Sequence, residues 1–171
     1  ATGSLNKLLL SGLIKTQSAS FCSGEPSKKP EIIVSEGNYI AGTNGDVPVK
    51  KLVISGGLIK ADSLNIAETL TQSGGVLITE NVNVSGVNVS GGTLTGQNIE
   101  VSNDFTMTGG VLTHQAATET KVYKLNLTVL GDLSFSGDGI INLNEKGLLP
   151  RRIGNNLDLT AQSVVDQYLG F

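Results

Sequence analysis

Leu70-Thr71-Gln72-Ser73-Gly74-Gly75-Val76-Leu77 is one of four copies of a single phrase: apolar, any, apolar, Ser or Thr, Gly, Gly, any, apolar. The other copies are Leu52-Val53-Ile54-Ser55-Gly56-Gly57-Leu58-Ile59, Val87-Asn88-Val89-Ser90-Gly91-Gly92-Thr93-Leu94 and Phe105-Thr106-Met107-Thr108-Gly109-Gly110-Val111-Leu112. Gln72 is the one departure in the inner apolar column, beside Ile54, Val89 and Met107. The second glycines stand at 57, 75, 92 and 110, spaced 18, 17 and 18 residues apart. The register extends beyond the glycines. Two residues after them stand Ile59, Leu77, Leu94 and Leu112, and seven after stand Leu64, Val82, Ile99 and Ala117. Nine after stand Ile66, Val84 and Val101, and then Glu119 breaks the pattern. Polar Asn65, Asn83 and Glu100 fall between, so the period is two, that of strands with one buried face.

These features predict an all-β protein, a single-stranded parallel β-helix or β-solenoid. One coil of two or three short strands cannot bury its apolar side alone, whereas stacked coils turn each column into a continuous core. Ser/Thr-Gly-Gly marks a corner where the missing Cβ permits positive φ and close backbone stacking. Coils of 17–18 residues leave room for side chains only, so no pore is expected. The competing fold is an antiparallel sandwich with regularly spaced turns. Fixed register over four copies favours the solenoid, in which Ile59, Leu77, Leu94 and Leu112 form one buried ladder.

Weaker copies flank the regular block. Residues 32–40 fit, with Gly37 in the glycine slot, and residues 133–140 fit, with Asp138 in the second-glycine slot 28 residues past Gly110. Leu8-Leu9-Leu10-Ser11-Gly12-Leu13-Ile14-Lys15 is a degenerate first copy. The expected organisation is one domain of about five to seven coils of 17–28 residues. Residues 1–15 form an N-terminal cap or degenerate coil, with 4–10 open between short helix and first strand. Residues 16–31 are an insertion, 32–112 regular coils, 113–130 a second insertion containing a strand within 122–129, and 131–148 the last coil. Residues 149–171 form a C-terminal cap, helical from about Thr160, with Val164, Val165, Tyr168 and Leu169 as its apolar stripe.

Across residues 49–143, and most clearly over 73–84, the repeat style resembles the β-helical surface proteins of the filamentous-haemagglutinin adhesin and autotransporter-passenger type. The secretion-domain motifs of those adhesins are not evident. The resemblance implies an extracellular or cell-surface stalk that contacts surfaces or sugars; repeat style speaks to fold more than to activity.

Composition narrows the chemistry. The chain has 171 residues, enough for one cored domain, and its 16% charged and 39% apolar content argues against disorder. Gly 22 without a three-residue period excludes collagen. A net charge of −3 offers no basic surface for nucleic acid. One Cys, Cys22, excludes an intrachain disulfide and a multi-Cys zinc site, and reads as a small apolar residue. No apolar run reaches the roughly 18 residues of a membrane helix, and no secretory leader is read from the opening residues.

A polysaccharide hydrolase needs two facing carboxylates, and a lyase needs a base with Arg or Ca²⁺. Here Arg151 and Arg152 are adjacent near the C-terminus, and Asp62, Glu68, Glu80, Glu100 and Asp104 are scattered, so the chain is read as non-enzymatic. His114, at the mouth of the second insertion, is the only histidine. Asp132, Asp138 and Glu145 are weak candidates for structural calcium, although turn-forming Asp explains them equally. Three Asn-x-Ser/Thr triplets, at Asn83, Asn88 and Asn126, arise readily in such strands and are assigned no sugar. Leu58, Val76, Ile78 and Val111 form a possible apolar stripe, and Thr93 and Thr95 do not continue as the Thr columns ice binding requires. Sugar platforms are usually aromatic, which singles out Tyr39 and Tyr123 as binding candidates, with His114 beside them. The expected function is a non-enzymatic extracellular structural or adhesion module that contacts a surface polysaccharide or protein. Polysaccharide binding is the alternative and a polysaccharide-enzyme relic the third reading. Self-association through the solenoid ends is a further expectation.

Overall fold

Every pairing in the principal, twelve-stranded sheet is parallel, which removes the antiparallel sandwich. The computed structural model describes residues 7–10, 13–15, 31–40, 46–118, 121–146, 152–153 and 156–157. The chain is a β-solenoid whose regular part makes about four turns. Each coil has three faces. The first stacks residues 7–10, 31–34, 51–54, 69–72, 87–89, 105–107 and 133–135. The second stacks 13–15, 38–40, 58–60, 76–78, 93–95, 111–113 and 140–141. The third stacks 46–49, 63–66, 81–84, 98–101 and 126–129. Strands Leu58–Gln72 and Val76–Thr95 run 15 and 20 residues because they bend around corners without losing their ladder bonds.

The interior is a set of columns. Ile59 pairs with Leu77 and Leu94 with Leu112, and all four are fully buried. Val76–Thr95 completes a whole coil, and Thr93 N–H donates to the Gly75 carbonyl oxygen (2.9 Å), which lays its end over its start. Leu52, Leu70, Val87 and Phe105 form a second buried column, and Leu64, Val82 and Ile99 a third. Truncating such a residue to Ala in a packed core costs about 2–5 kcal/mol. Gln72 occupies its inner column and is fully buried. Its Nε2 donates to the carbonyl oxygens of Thr93 (3.0 Å), Gly74 and Gly75 (3.3 Å each), while Oε1 has no partner among the described residues. It ties down a corner that an aliphatic side chain would leave untethered.

The Gly-Gly corners follow from the stacking distance. Gly57, Gly75, Gly92 and Gly110 have φ of 71°, 67°, 80° and 83°, and so does Gly37 at 82°. Corners bond coil to coil: Ser73 N–H donates to the Ile54 carbonyl oxygen (2.8 Å) and Val76 N–H to that of Gly57 (2.9 Å). The uneven 18, 17, 18 spacing is absorbed at the corner between the third and first faces, where the register shifts between Ile66 and Thr69. Four residues lead from Ile66 to Leu70 and three from Val84 to Val87.

Two expectations change. Glu119 lies outside the described residues, and Ala117 does not continue the third-face column. The strand Asn126–Val129 does so, pairing Leu127 with Ile99 and Val129 with Val101, after the chain has looped out. Asp138 does not take the second-glycine slot. The left-handed residue there is Gly137 (φ 61°), Gly139 N–H closes a turn on the Ser136 carbonyl oxygen (3.3 Å), and the corner gains one residue. Ile140 consequently pairs with Val111 and Ile141 with Leu112, one place later than the repeat predicts. At the ends, Lys7–Leu10 is a strand, and Arg152–Ile153 with Asn156–Leu157 form a short antiparallel pair. The expected helix from Thr160, residues 16–30 of the first insertion and Cys22 lie outside the described residues, while Glu31 already belongs to the first-face strand Glu31–Val34.

Candidate functional site

Inward columns hold the stack, so the outward columns are what the molecule presents. On the third face, Asn81, Asn98 and Asn126 stand directly over one another. Asn98 Nδ2 donates to Asn81 Oδ1 (2.9 Å) and Asn126 Nδ2 to Asn98 Oδ1 (2.8 Å). Their amides bond along the stack. At the following corner, Asn103 Nδ2 donates to Ser85 Oγ (2.9 Å) in the same direction. The asparagine column commits its amides to its own neighbours.

The first face differs. Outward Thr71, Asn88, Thr106 and Ser134 form one column, and the corner residues Ser73, Ser90, Thr108 and Ser136 form the next. Between them lies a shallow groove of about 110 Å³ lined by Thr71, Asn88, Val89, Ser90, Thr106 and Thr108. Thr71 and Thr106 are half-buried, and Asn88, Ser90 and Thr108 are exposed. None of these hydroxyls and amides bonds to another described side chain or carbonyl. The lining carries no charge. Rungs repeat at about 4.8 Å and alternate outward positions at about 7 Å along a strand, so the groove is a regular lattice of free donors and acceptors. Its volume is well below the roughly 300 Å³ of an enclosed ligand pocket, which suits surface contact. Sequence reasoning missed it because its residues look like ordinary outward strand positions; the signal was the recurrence of Ser or Thr before each Gly-Gly.

The candidates singled out from sequence are dispersed. Tyr39 is on the second face, in register with Ile59, whose column is buried. Tyr123 precedes the strand Asn126–Val129, on the chain that loops out after the second face, and is half-buried. Lys121 Nζ lies 4.8 Å over its ring centroid and also pairs with Glu80. The Glu80 hydrogen bond raises the Lys121 pKa against the opposing desolvation, and the Glu80 charge adds to the rise. Tyr39 and Tyr123 are thus in different coils and on different elements. His114 is buried where the second face ends, and its ring Nδ1–H donates to the Gln115 carbonyl oxygen (2.7 Å). Asp132 and Asp138 are exposed on the last coil, and Asp132 N–H donates to Asp104 Oδ1 (2.9 Å). Among the described residues no three His, Cys, Asp or Glu side chains gather as a metal-binding set.

Comparison with protein families, curated proteins and solved structures finds no match. What the site does must therefore be argued from its own geometry. Leu58, Val76, Ile78 and Val111 are half-buried on the second face, with Thr93 interposed between Val76 and Val111. No helix among the described residues is long and apolar enough to cross a membrane.

Proposed function

We propose that this chain is a structural and adhesive module for an extracellular or cell-surface setting, a rigid β-solenoid that contacts a surface or partner through its outward columns and loops. The observation that carries the reading is the set of buried ladders, which fixes the backbone of the outward columns before contact and leaves only side-chain ordering to be met on binding. The repeat style shared with filamentous-haemagglutinin-type adhesins points the same way. Outward display on a stack whose regular coils have filled columns is scaffolding chemistry. The test is retention of the folded chain on intact cell-surface preparations, with acid-unfolded chain as the control. Retention of the folded form alone supports the proposal, and equal retention of both forms refutes it.

Polysaccharide binding is the second reading, favoured by the first-face groove. Neutral hydroxyls and amides without internal partners suit a neutral glycan, whose own hydroxyls both donate and accept. A pull-down on insoluble neutral glycans checks it with Thr106→Val and Asn88→Leu. Retention of the parent and loss in both variants supports the groove. Loss with Tyr123→Ala instead moves the contact to the loop that precedes Asn126–Val129.

A further inference from the structure

A parallel stack has two different ends, and each leaves one row of backbone groups unpaired. The last coil ends in the strands Leu133–Phe135 and Ile140–Ile141, which among the described residues pair only with the coil beneath them. Their inward-column residues are open. Leu133 is 53% exposed, Phe135 36% and Ile141 46%, whereas Phe105, Met107 and Leu112 beneath them are fully buried. Leu133 continues the Phe105 column and Phe135 the Met107 column, and the Phe135 ring also stacks on that of Phe105 across the two columns, with centroids 5.8 Å apart. Natural edges are blunted with Lys, Pro or a bulge, and neither strand here contains Lys or Pro. An open row of ladder groups over an open apolar core is a template for another coil.

The first coil has the complementary form. Among the described residues its strands Lys7–Leu10 and Leu13–Lys15 also pair on one side only. Followed through the register, Leu8 belongs to the column of Leu133, Leu10 to that of Phe135 and Ile14 to that of Ile141. Lys7 stands one place before Leu8, as Asp132 stands one place before Leu133, so the two share a register position. We propose that the C-terminal end receives the N-terminal end of a second copy, continuing the solenoid head to tail. The register positions of Leu8, Leu10 and Ile14 then follow those of Leu133, Phe135 and Ile141, and the position of Lys7 follows that of the exposed Asp132. C-terminal ends meeting each other would instead bring Asp132, Asp138 and Glu145 against their own copies, which like charge disfavours. A heterologous contact of this kind has no closing rotation, so it grows into a filament.

Sedimentation velocity on the full-length chain over a concentration series tests this. The expected result is a ladder of species extending past the dimer as concentration rises. Lys7→Glu alone and Asp132→Lys alone each weaken association about tenfold, and the double exchange restores it. Both sites are register positions at an end, so circular dichroism of the variants matches the parent. A chain that stays monomeric at all concentrations has its end covered by its own residues, and that result overturns the proposal. Growth that stops at the dimer, or a double exchange that fails to rescue, overturns it as well. Retention on cell surfaces is measured separately, so failure here leaves the adhesive reading standing.

Discussion

Replacing Gly75 with Ala probes the physical basis of the corner. Two costs meet at this residue. At φ 67° an L side chain is strained by about 1–2 kcal/mol. A Cβ would also stand 2.6 Å from the carbonyl carbon and oxygen of Gly56 and 2.7 Å from the Gly57 oxygen, all backbone atoms of the adjoining coil. Ordinary van der Waals contact begins near 3.4 Å, so the coils must part by most of an ångström or the corner must rebuild, an overpacking cost of about 1–3 kcal/mol. The sum is about 2–5 kcal/mol. Gly74→Ala separates the two costs. Its φ lies outside the left-handed region and its Cβ would clash with the Ser55 carbonyl group, so it should lose the steric part alone. Gly86→Ala is the control: its Cβ meets nothing nearer than the Asp104 oxygen at 3.7 Å, and removing glycine freedom from the unfolded chain should stabilise by about 0.4–1 kcal/mol. Urea unfolding followed by circular dichroism reads all three. With a slope of about 2 kcal/mol per molar, Gly75→Ala moves the midpoint down by about 1–2.5 M and Gly86→Ala moves it slightly up. If Gly75→Ala shifts the midpoint no further than Gly86→Ala does, the stacked-corner argument is wrong.

Other expectations follow from the side chains. Gln72→Leu keeps the column filled and removes the unpaired Oε1, so the melting temperature should change by only a few degrees, whereas Gln72→Ala opens a cavity and should cost about 2–4 kcal/mol. Asn98→Ala breaks both amide contacts of the third-face ladder and should cost about 1 kcal/mol by denaturant unfolding, with no change in neutral-glycan retention. Lys121 titrates above its usual 10.5 because Glu80 accepts from it. The raised value means the pair's contribution is complete below 10.5 and is lost as pH climbs through the folded-state pKa, so an NMR titration should show the Lys121 pKa falling back in Glu80→Gln.

Much of the fold was legible because a solenoid writes its contacts into its period. Ile59, Leu77, Leu94 and Leu112 recur at one offset in sequence and so meet in space, a translation any reader of the chain can extrapolate. Extrapolation failed where the translation is interrupted. Ala117 held the right offset, but the strand that fills the column is Asn126–Val129, because an excursion after His114 costs the stack nothing provided the chain re-enters in register. Asp138 held the glycine offset, yet a Cβ has no room there, so the turn took an extra residue and moved Ile140 and Ile141 along by one. The groove was harder to see because Thr71, Asn88 and Thr106 differ from Asn81, Asn98 and Asn126 only in where their hydrogen bonds go. That distinction is set by side-chain geometry across coils and has no trace in any one repeat.

The same translational logic makes the coil itself a testable unit. Leu58 pairs with Val76, so residues 58–75 are one full turn of 18 residues. A second copy of that segment inserted after Gly75 should enter as an extra coil, since every column continues through it and each corner finds its glycine partner. Denaturant unfolding should then stay cooperative with a larger slope, because more surface is buried. Length changes within the duplicate are not equivalent. The native stack already accommodates one residue fewer at the corner between the third and first faces, as the shift between Ile66 and Thr69 shows. Deleting Ala67 from the duplicate should therefore leave the extra coil folded. Deleting Asn65 should not: it lies between Leu64 and Ile66 inside a strand of period two, and its loss would turn one of these buried residues to solvent. Equal tolerance of the two deletions would show that the coils are not held in register by their columns.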